Sequence, residues 1–556
     1  MTKTEAFLSC RAPVPHGRPS RPVLAPAALA FAASLALALA FFPVPDALSQ
    51  NAADGPLGPP PSVAAPHGTA PAGSPGTAPP PVASPTPAVR DTSTPGASAP
   101  AGHGAAMEAL PGGAASGTVP SPAVRSESGG APAPAVVWMK VYGGPGEDSF
   151  ARVSATLDGG LVAVGRSSSA EGDVSGNRGA ADAWLLRLDG DGAVLWTRSL
   201  GGSDQDFATS VIQASDGGFY AAGGTRSSDG DFSEATGGLS AWVARLRADG
   251  TLHWLKVFGG DVGWEARALL ETSDGGLVVM GEVESPENGC SEGGGPCGNV
   301  MVVRLDSSGD TLRVRRPRAR ATLPGNAAAG VPGGGAVAAF EMYSRDGSPV
   351  ARVIRSGPEG RHLWTRTVAV DAAAYSVATA PGGSFAGAGQ ASRAPEGGGE
   401  ARRSPWMFLL NTDGGLVWES LADIGMEGEF HGVCAAGGLL VAAGAAENLS
   451  RPDAVTYDLL VAAAEPGGGV LWTMVLGGSG LDWGASADAL PGGELAVGGY
   501  TASADGDMAA VGRDLSRVDA DGLIVRLAPA RPAHEAVPPD RGALPQGEGG
   551  EAVSAR

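Results

Sequence analysis

Lysine is almost missing from this chain: only Lys3, Lys140 and Lys256 occur among its 556 residues. Charged residues make up 17% of the sequence, and the formal net charge is −20. Binding to phosphate backbones or to anionic lipid surfaces requires a basic surface, which this composition does not supply. We therefore expect no nucleic acid partner, and contact with a membrane only through an N-terminal anchor.

Cysteine is also scarce, with four residues in the whole chain. Cys290 and Cys297 are separated by six residues in a Gly-rich segment, and in an oxidising compartment this spacing predicts a local disulfide. A zinc site would need two further ligands, and no histidine lies nearby in the sequence. Cys434 lies in an apolar run, which predicts a buried free thiol.

Sequence motifs of catalysis are absent between residues 134 and 530. Neither H-E-x-x-H nor G-x-S-x-G occurs there, and the three histidines (His253, His362 and His431) are predicted to be packing residues. Acidic residues are numerous enough to supply a glycosidase pair, but no motif supports one. No motif in this part of the sequence therefore supports an enzymatic function.

The first 49 residues read as an export signal. Basic residues precede an apolar run at 23–42, and small residues at 47 and 49 are typical of a cleavage site. The run is also long enough to span a bilayer, so an uncleaved signal anchor is the alternative. In either case we expect an exported protein that is secreted, periplasmic or displayed on the cell surface.

Residues 50–133 are mostly Pro, Ala, Gly, Ser and Thr, with almost no large apolar side chains. Such a segment cannot bury enough apolar surface to offset its chain entropy, so it is predicted to be a disordered linker. Residues 531–556 are polar and rich in Pro and Gly, and are predicted to be a disordered tail. This leaves 134–530 as the folded part.

Tryptophan recurs in that folded part at a nearly constant interval. Each copy lies in a short apolar stretch, and a copy with Val314 in the tryptophan position fills the one double interval. A period of 50–60 residues is typical of a repeat architecture. The recurring tryptophans are Trp138, Trp196, Trp254, Trp364, Trp418 and Trp472.

Each repeat contains two predicted hairpins, one at a D-G-G or P-G-G element and one at a D-x-x-G element. Two hairpins give four antiparallel strands, which is one propeller blade. The first copy consists only of its tryptophan strand, and the last copy lacks its tryptophan strand. The two partial copies together therefore make one complete blade. We therefore predict an all-β, seven-bladed β-propeller in which the N-terminal strand closes the last blade.

By these elements the chain resembles the seven-bladed β-propeller repeats of secreted bacterial proteins whose roles are largely uncharacterised. The shared pattern is W-x-K-x-(Y/F)-G-G, then D-G-G, then S-x-D-G-D, then D-x-W-(L/V)-x-(R/K)-L-D, and copies four to six depart from it. The repeat is also similar to the propellers of quinoprotein dehydrogenases. The adjacent cysteine pair of those enzymes is absent here.

Acidic residues recur in the loops that a propeller places on one rim. Carboxylates on Gly-rich loops suit calcium, although no loop holds a complete calcium motif. Aspartate is equally a turn former, because its side chain accepts hydrogen bonds from nearby amides. The candidate residues are Asp148, Asp173, Asp206, Asp229, Asp231, Asp482, Asp505 and Asp507.

Three functional interpretations follow from this architecture. The first is a non-enzymatic binding scaffold, expected to be a monomer, whose rim loops contact a protein or polysaccharide. The second is a glycan hydrolase or lyase with carboxylates at the channel. The third is a passive structural spacer at the surface.

The calcium hypothesis makes a direct prediction about stability. If the rim aspartates bind calcium, the thermal unfolding midpoint rises on addition of calcium and returns on addition of EDTA, since a ligand at 100 times its Kd adds about 2.7 kcal/mol. Differential scanning fluorimetry checks this. A midpoint that calcium leaves unchanged assigns these residues to turn formation alone.

Overall fold

The computed structural model describes residues 133–259, 263–272, 274–284, 298–315, 328–331, 334–343, 348–358, 361–393, 401–448, 456–513 and 519–529. The predicted signal or anchor, nearly all of the predicted linker and tail, and the Cys290–Cys297 pair lie outside these residues. Within them, no helix is both long and apolar enough to cross a membrane.

Each sheet of the described chain has four antiparallel strands. Blades 1 to 3 are formed, in order, by β2 (Asp148–Ala155), β3 (Leu161–Ser167), β4 (Asp182–Leu188) and β5 (Val194–Leu200); β6 (Asp206–Gln213), β7 (Phe219–Thr225), β8 (Ser240–Leu246) and β9 (Leu252–Phe258); and β10 (Trp264–Glu271), β11 (Leu277–Glu284), β12 (Gly298–Leu305) and β13 (Thr311–Arg315).

Blades 4 to 6 follow the same order. They are formed by β14 (Ala328–Gly330), β15 (Ala336–Tyr343), β16 (Pro349–Ser356) and β17 (His362–Val370); β18 (Ala372–Thr379), β19 (Phe385–Arg393), β20 (Arg402–Leu410) and β21 (Leu416–Leu421); and β22 (Gly428–Ala436), β23 (Leu439–Glu447), β24 (Tyr457–Ala464) and β25 (Val470–Leu476).

Blade 7 joins the two ends of the folded part. It contains β26 (Asp482–Ala489), β27 (Leu495–Thr501), β28 (Asp521–Leu527) and the N-terminal strand β1 (Val136–Tyr142), which pairs antiparallel with β28. Short 3₁₀ helices occupy some of the loops: Gly230–Phe232, Pro381–Gly383, Pro491–Gly493 and Gly506–Val511. The prediction of a seven-bladed propeller closed by its N-terminal strand is confirmed.

The recurring tryptophans connect each blade to the next. In four of them the indole Nε1–H donates to a carbonyl in the second hairpin of the following blade. For Trp138 the acceptor is the Gly190 carbonyl at 3.2 Å, and the ring lies against Gly192 of the same hairpin. The partly buried indole thus combines a large apolar contact with a hydrogen bond, an arrangement that suits the apolar body and polar N–H of tryptophan.

Apolar side chains from adjacent blades pack into shared clusters. Between blades 1 and 2, Val162 and Leu185 pack with Phe219 and Trp242, and all four are essentially inaccessible to solvent. This burial between sheets is the main stabilising contribution expected for such a fold. Cys434 is a buried free thiol, as predicted, and burial raises its pKa.

A bulge interrupts the first strand of blades 1, 2, 3, 5, 6 and 7. One residue in each of these strands is left out of the ladder, and the paired residue before it faces a glycine on the second strand. A Cβ atom on any of these glycines would lie 1.8–2.2 Å from a backbone carbonyl oxygen. Only glycine permits this close approach. The glycines are Gly165, Gly223, Gly281, Gly389, Gly444 and Gly499.

This constraint predicts the effect of alanine at Gly223. Its Cβ would meet the Phe207 carbonyl oxygen at 1.9 Å, so we expect Gly223→Ala to lower the free energy of unfolding by about 1–3 kcal/mol or more. Gly467→Ala is the matched control, because nothing lies within 4 Å of the position that its methyl group would take. Urea denaturation measures both. Equal stability of the two variants would contradict the role of the bulge.

Candidate functional site

The seven first strands surround the central channel. We call β2, β6, β10, β14, β18, β22 and β26 the inner strands, and each contacts the inner strand of the next blade around the ring. We call the end at which they begin the channel mouth. Side chains near the start of several inner strands therefore come close together, although they are far apart in the sequence.

The bulges supply the side chains that reach across the mouth. A bulge leaves its residue outside the ladder and redirects the side chain. Thr209, the bulge residue of β6, donates its hydroxyl to the Ala266 carbonyl of blade 3 at 2.6 Å. Tyr375 and His431, the bulge residues of β18 and β22, also contact the following blade.

Five rings form an aromatic cluster at the mouth, defined as Tyr375, His431, Tyr457, Trp483 and Tyr500. The Tyr375 and His431 rings stack, with centroids 5.0 Å apart and planes inclined by 4°. His431 lies 4.8 Å from Trp483, which in turn lies 5.7 Å from Tyr457 and 6.4 Å from Tyr500. The cluster thus crosses blades 5, 6 and 7.

The outer part of the aromatic cluster is accessible and its inner part is not. Trp483 and Tyr500 are 7% and 5% exposed, whereas Tyr375, His431 and Tyr457 are half-buried. Trp483 and Tyr500 therefore support the three rings that solvent, or a ligand, can reach.

Polar groups accompany these rings. A Glu429 carboxylate oxygen lies 3.2 Å from His431 Nε2, and Gln390 donates its amide N–H to the Tyr375 hydroxyl. Burial raises the pKa of the Tyr500 phenol, the nearby Arg166 lowers it, and the charges of Asp482 and Glu429 raise it further. A histidine that contacts a carboxylate can accept or donate a proton at a bound hydroxyl group.

A buried ion pair lies at the mouth in blade 3. Arg267, the bulge residue of β10, places its guanidinium 3.1 Å from the Glu265 carboxylate, and both side chains are 8% exposed. Removing either partner would leave a buried charge uncompensated, so this pair favours a rigid mouth.

The rim aspartates predicted from sequence lie in blades 7, 1 and 2. Three of them occupy equivalent positions at the start of an inner strand and bond in the same way. Asp148 accepts from the Gly144 amide at 2.7 Å and from the Ser169 hydroxyl at 2.7 Å. Asp206 and Asp482 repeat this pattern with Gly202 and Ser227, and with Gly478 and Ser503.

The other five rim aspartates accept hydrogen bonds from backbone amides of the loop that enters the same blade. The donors are Gly143 for Asp173, Ser203 for Asp229, Gly201 for Asp231, Ser479 for Asp505 and Gly477 for Asp507. Such bonds satisfy loop amides that would otherwise lack acceptors. Among the described residues, no group of three or more His, Cys, Asp or Glu side chains is placed to hold a metal ion. Calcium binding by these aspartates stays a prediction.

Asp182 lies at the junction of blades 1 and 2 and is inaccessible to solvent. Its Oδ2 accepts from the Arg178 amide at 3.1 Å, while its Oδ1 accepts no hydrogen bond from the described residues. Burial, with the charges of Asp206 and Asp231, raises the pKa of Asp182 to about 6. The ionised form is therefore costly in the folded state.

The aromatic cluster was not predicted from sequence, and His431 was assigned to packing. A signal was nevertheless present. In the regular copies the bulge position holds Ala151, Thr209, Arg267 and Ala485, none of them aromatic, whereas two of the copies that depart from the pattern hold Tyr375 and His431. Aromatic rings at this position therefore distinguish copies that carry the candidate site from the regular copies.

No family model and no curated protein matches the sequence. Among solved structures, the chain is similar to a polysaccharide lyase, an ulvan lyase in complex with a GlcA–Rha3S saccharide (9% identity, 70% of this chain and 95% of that one, TM-score 0.40). The phage phi92 endosialidase gives 9% identity over 75% and 72% with a TM-score of 0.36. A Bacteroides caccae protein of unknown function gives 14% over 52% and 89% with a TM-score of 0.31. Similarity this low carries no argument about activity.

The raised pKa of Asp182 predicts a pH-dependent effect of Asp182→Asn. In the wild type this carboxyl group has a pKa near 4 in the unfolded state and about 6 in the folded state. Between these two pH values folding takes up a proton, so the free energy of unfolding rises as the pH falls from 6 to 4. Above pH 6 the charge is a net cost, so the variant should be more stable than wild type by about 1–3 kcal/mol, with the gain shrinking towards pH 4.

Denaturant unfolding of wild type and variant between pH 4 and pH 8 measures this difference. Asp413→Asn, at an exposed position of a hairpin, is the matched control for loss of one negative charge. A stability difference for Asp182→Asn that does not change with pH would contradict the assignment.

Proposed function

We propose that this protein is an exported binding module for a polysaccharide, and that the channel mouth holds the sugar. The aromatic cluster is the observation that carries this proposal. Aromatic rings offer flat apolar faces to the C–H face of a sugar ring, and neighbouring polar groups can bond to its hydroxyls.

The three accessible rings suit such a ligand. Tyr375, His431 and Tyr457 are half-buried, so each can contact a ligand without first unpacking the core. Glu429 lies 3.2 Å from His431 Nε2, and the hydrogen bond from Gln390 orients the Tyr375 hydroxyl. A site that is ordered before binding loses less conformational freedom when its ligand arrives.

The rim is a weaker candidate for this contact. Its aspartates accept hydrogen bonds from the chain's own amides and hydroxyls, so their carboxylates are engaged in holding the loops. This favours the mouth over the rim as the surface that binds.

A glycan hydrolase or lyase is the second candidate, and the Glu429–His431 contact favours it. A Glu429 carboxylate oxygen lies 3.2 Å from His431 Nε2, and a carboxylate beside an imidazole is an arrangement found in the general bases of many enzymes. In that case His431 would exchange the proton, and Tyr375 would lie against the same sugar.

Binding to oligosaccharides tests the proposal. We expect His431→Ala and Tyr375→Ala to weaken binding about tenfold each, because an aromatic contact contributes about 0.5–1.5 kcal/mol beyond its buried area. His362→Ala, on the exposed outer strand β17, is the matched control and should bind as wild type does. Calorimetric titration with xylo-, cello-, galacturono- and chito-oligosaccharides and with peptidoglycan fragments measures the affinities.

The same mixtures distinguish the two candidates. New reducing ends or unsaturated sugar ends that disappear in His431→Ala would establish the enzyme. Binding without product formation supports the module. If no saccharide binds, or if His362→Ala weakens binding as much as His431→Ala, the proposal is wrong and the passive spacer becomes the better interpretation.

A further inference from the structure

Glu429 is a buried carboxylate beside the aromatic cluster. It is the second residue of the inner strand β22, and its side chain is 9% exposed. One carboxylate oxygen lies 3.2 Å from His431 Nε2. Among the residues that the structure describes, no group donates a hydrogen bond to this carboxylate. A buried carboxylate in this situation is costly unless a positive charge compensates it.

The neighbouring imidazole can supply that charge only in its protonated form. When His431 is neutral, the negative charge of Glu429 lies next to a ring that a ligand can reach. A cation that lies against this ring would compensate the carboxylate. The arrangement therefore favours a ligand that brings its own positive charge.

The charges that act on the aromatic cluster are mainly acidic. Arg166 lowers the pKa of the Tyr500 phenol, whereas Asp482 and Glu429 raise it. Arg166 itself lies 3.6 Å from the Glu147 carboxylate, which offsets its charge. The whole chain carries a formal net charge of −20. Both the local balance and the overall charge thus favour a cationic ligand over an anionic one.

The geometry of the rings suits a cation as well. The Tyr457 and Trp483 rings have centroids 5.7 Å apart and planes inclined by 74°, and the His431 and Trp483 planes are inclined by 43°. Rings at such angles present more than one face to the same small space. An ammonium group is attracted to the face of an aromatic ring when it lies within about 6 Å of the ring centroid.

We propose that the sugar bound at the mouth is an amino sugar, and that its protonated amino group lies among the rings of the aromatic cluster with Glu429 as its counter-charge. This inference rests on the proposed saccharide binding and adds the chemical class of the ligand. In an amino sugar the nitrogen is attached directly to a ring carbon. A sugar that lies against one aromatic ring therefore also brings its charge close to the cluster, where partial exclusion of water strengthens the attraction.

Two oligosaccharides that differ only at the nitrogen test the inference. The probes are chitotetraose, which is N-acetylated on every ring, and its fully de-N-acetylated form, tetraglucosamine. At a pH where the amine is protonated, we expect the protein to bind tetraglucosamine at least about tenfold more tightly, as for a partly desolvated cation–π contact. Calorimetric titration measures both affinities, and their ratio is the readout.

Two glutamate variants separate the local charge from the overall charge. Glu429→Gln keeps the shape of the side chain without its charge, and should reduce the ratio to about threefold or less. Glu234→Gln, at an exposed position in the loop between β7 and β8, removes the same charge elsewhere and should keep the full ratio. Thermal unfolding of each variant identifies any that fails to fold.

A second pair of variants tests the ring and stays informative if Glu429→Gln does not fold. Tyr457→Leu removes an aromatic face and should lower the ratio about two- to fivefold. Tyr457→Phe keeps that face without the hydroxyl and should retain the ratio. Equal ratios in these two variants would show that the ring does not bind the cation.

The outcomes are distinct. Equal binding of the two tetramers by wild type, or tighter binding of chitotetraose, overturns the inference. A full ratio in folded Glu429→Gln, or an equal loss in Glu234→Gln, overturns the assignment of Glu429. If wild type binds neither these probes nor any other saccharide in the panel, both the inference and the proposed function are wrong. If only neutral or acidic saccharides bind, the proposed function stands and the amino-sugar class is wrong.

Discussion

Closure of the ring is the constraint on which the rest of this structure depends. An open row of sheets would leave exposed faces at both ends, and those faces are covered here because the first and last strands of the fold share one sheet. The pairing of β1 with β28 joins residues separated by nearly the whole folded chain. Once the ring is closed, each blade packs on two neighbours, and the inner strands converge on one channel.

The bulge links this architecture to the candidate site. Six of the seven blades repeat the same pair, an unpaired residue on the inner strand and a glycine opposite the residue before it. The backbone is thus nearly identical in these blades while the redirected side chain differs. An alanine at this position adds no functional group to the channel mouth, whereas Tyr375 and His431 each place an aromatic ring there. Function can change at these positions without disturbing the ladder.

Charge in this protein serves mainly to hold the loops. The rim aspartates and the Arg187–Asp158 ion pair stabilise turns and hairpins within the chain. Burial works against the ionised form of some of the aspartates, most clearly Asp182 and Asp458, and raises the pKa of each to about 6. The acidic composition is therefore explained mostly by loop structure. Glu429 and Gln390, by contrast, each contact a ring of the aromatic cluster.

Much of the fold could be predicted from the sequence because it depends on local, repeated signals. The tryptophan interval, the glycine turns and the incomplete copies at the two ends together determined the strand count, the number of blades and the closing strand. The aromatic cluster could not be predicted in this way. Its rings come from positions 375, 431, 457, 483 and 500, and their contacts exist only because three blades meet at one mouth. Glu429 is likewise one glutamate among many until the fold buries it beside these rings. The sequence by itself determined the repeat and its closure, since these follow from backbone preferences within each unit. Only the tertiary structure decided which side chains share the channel, because that depends on how far each blade is rotated from the next.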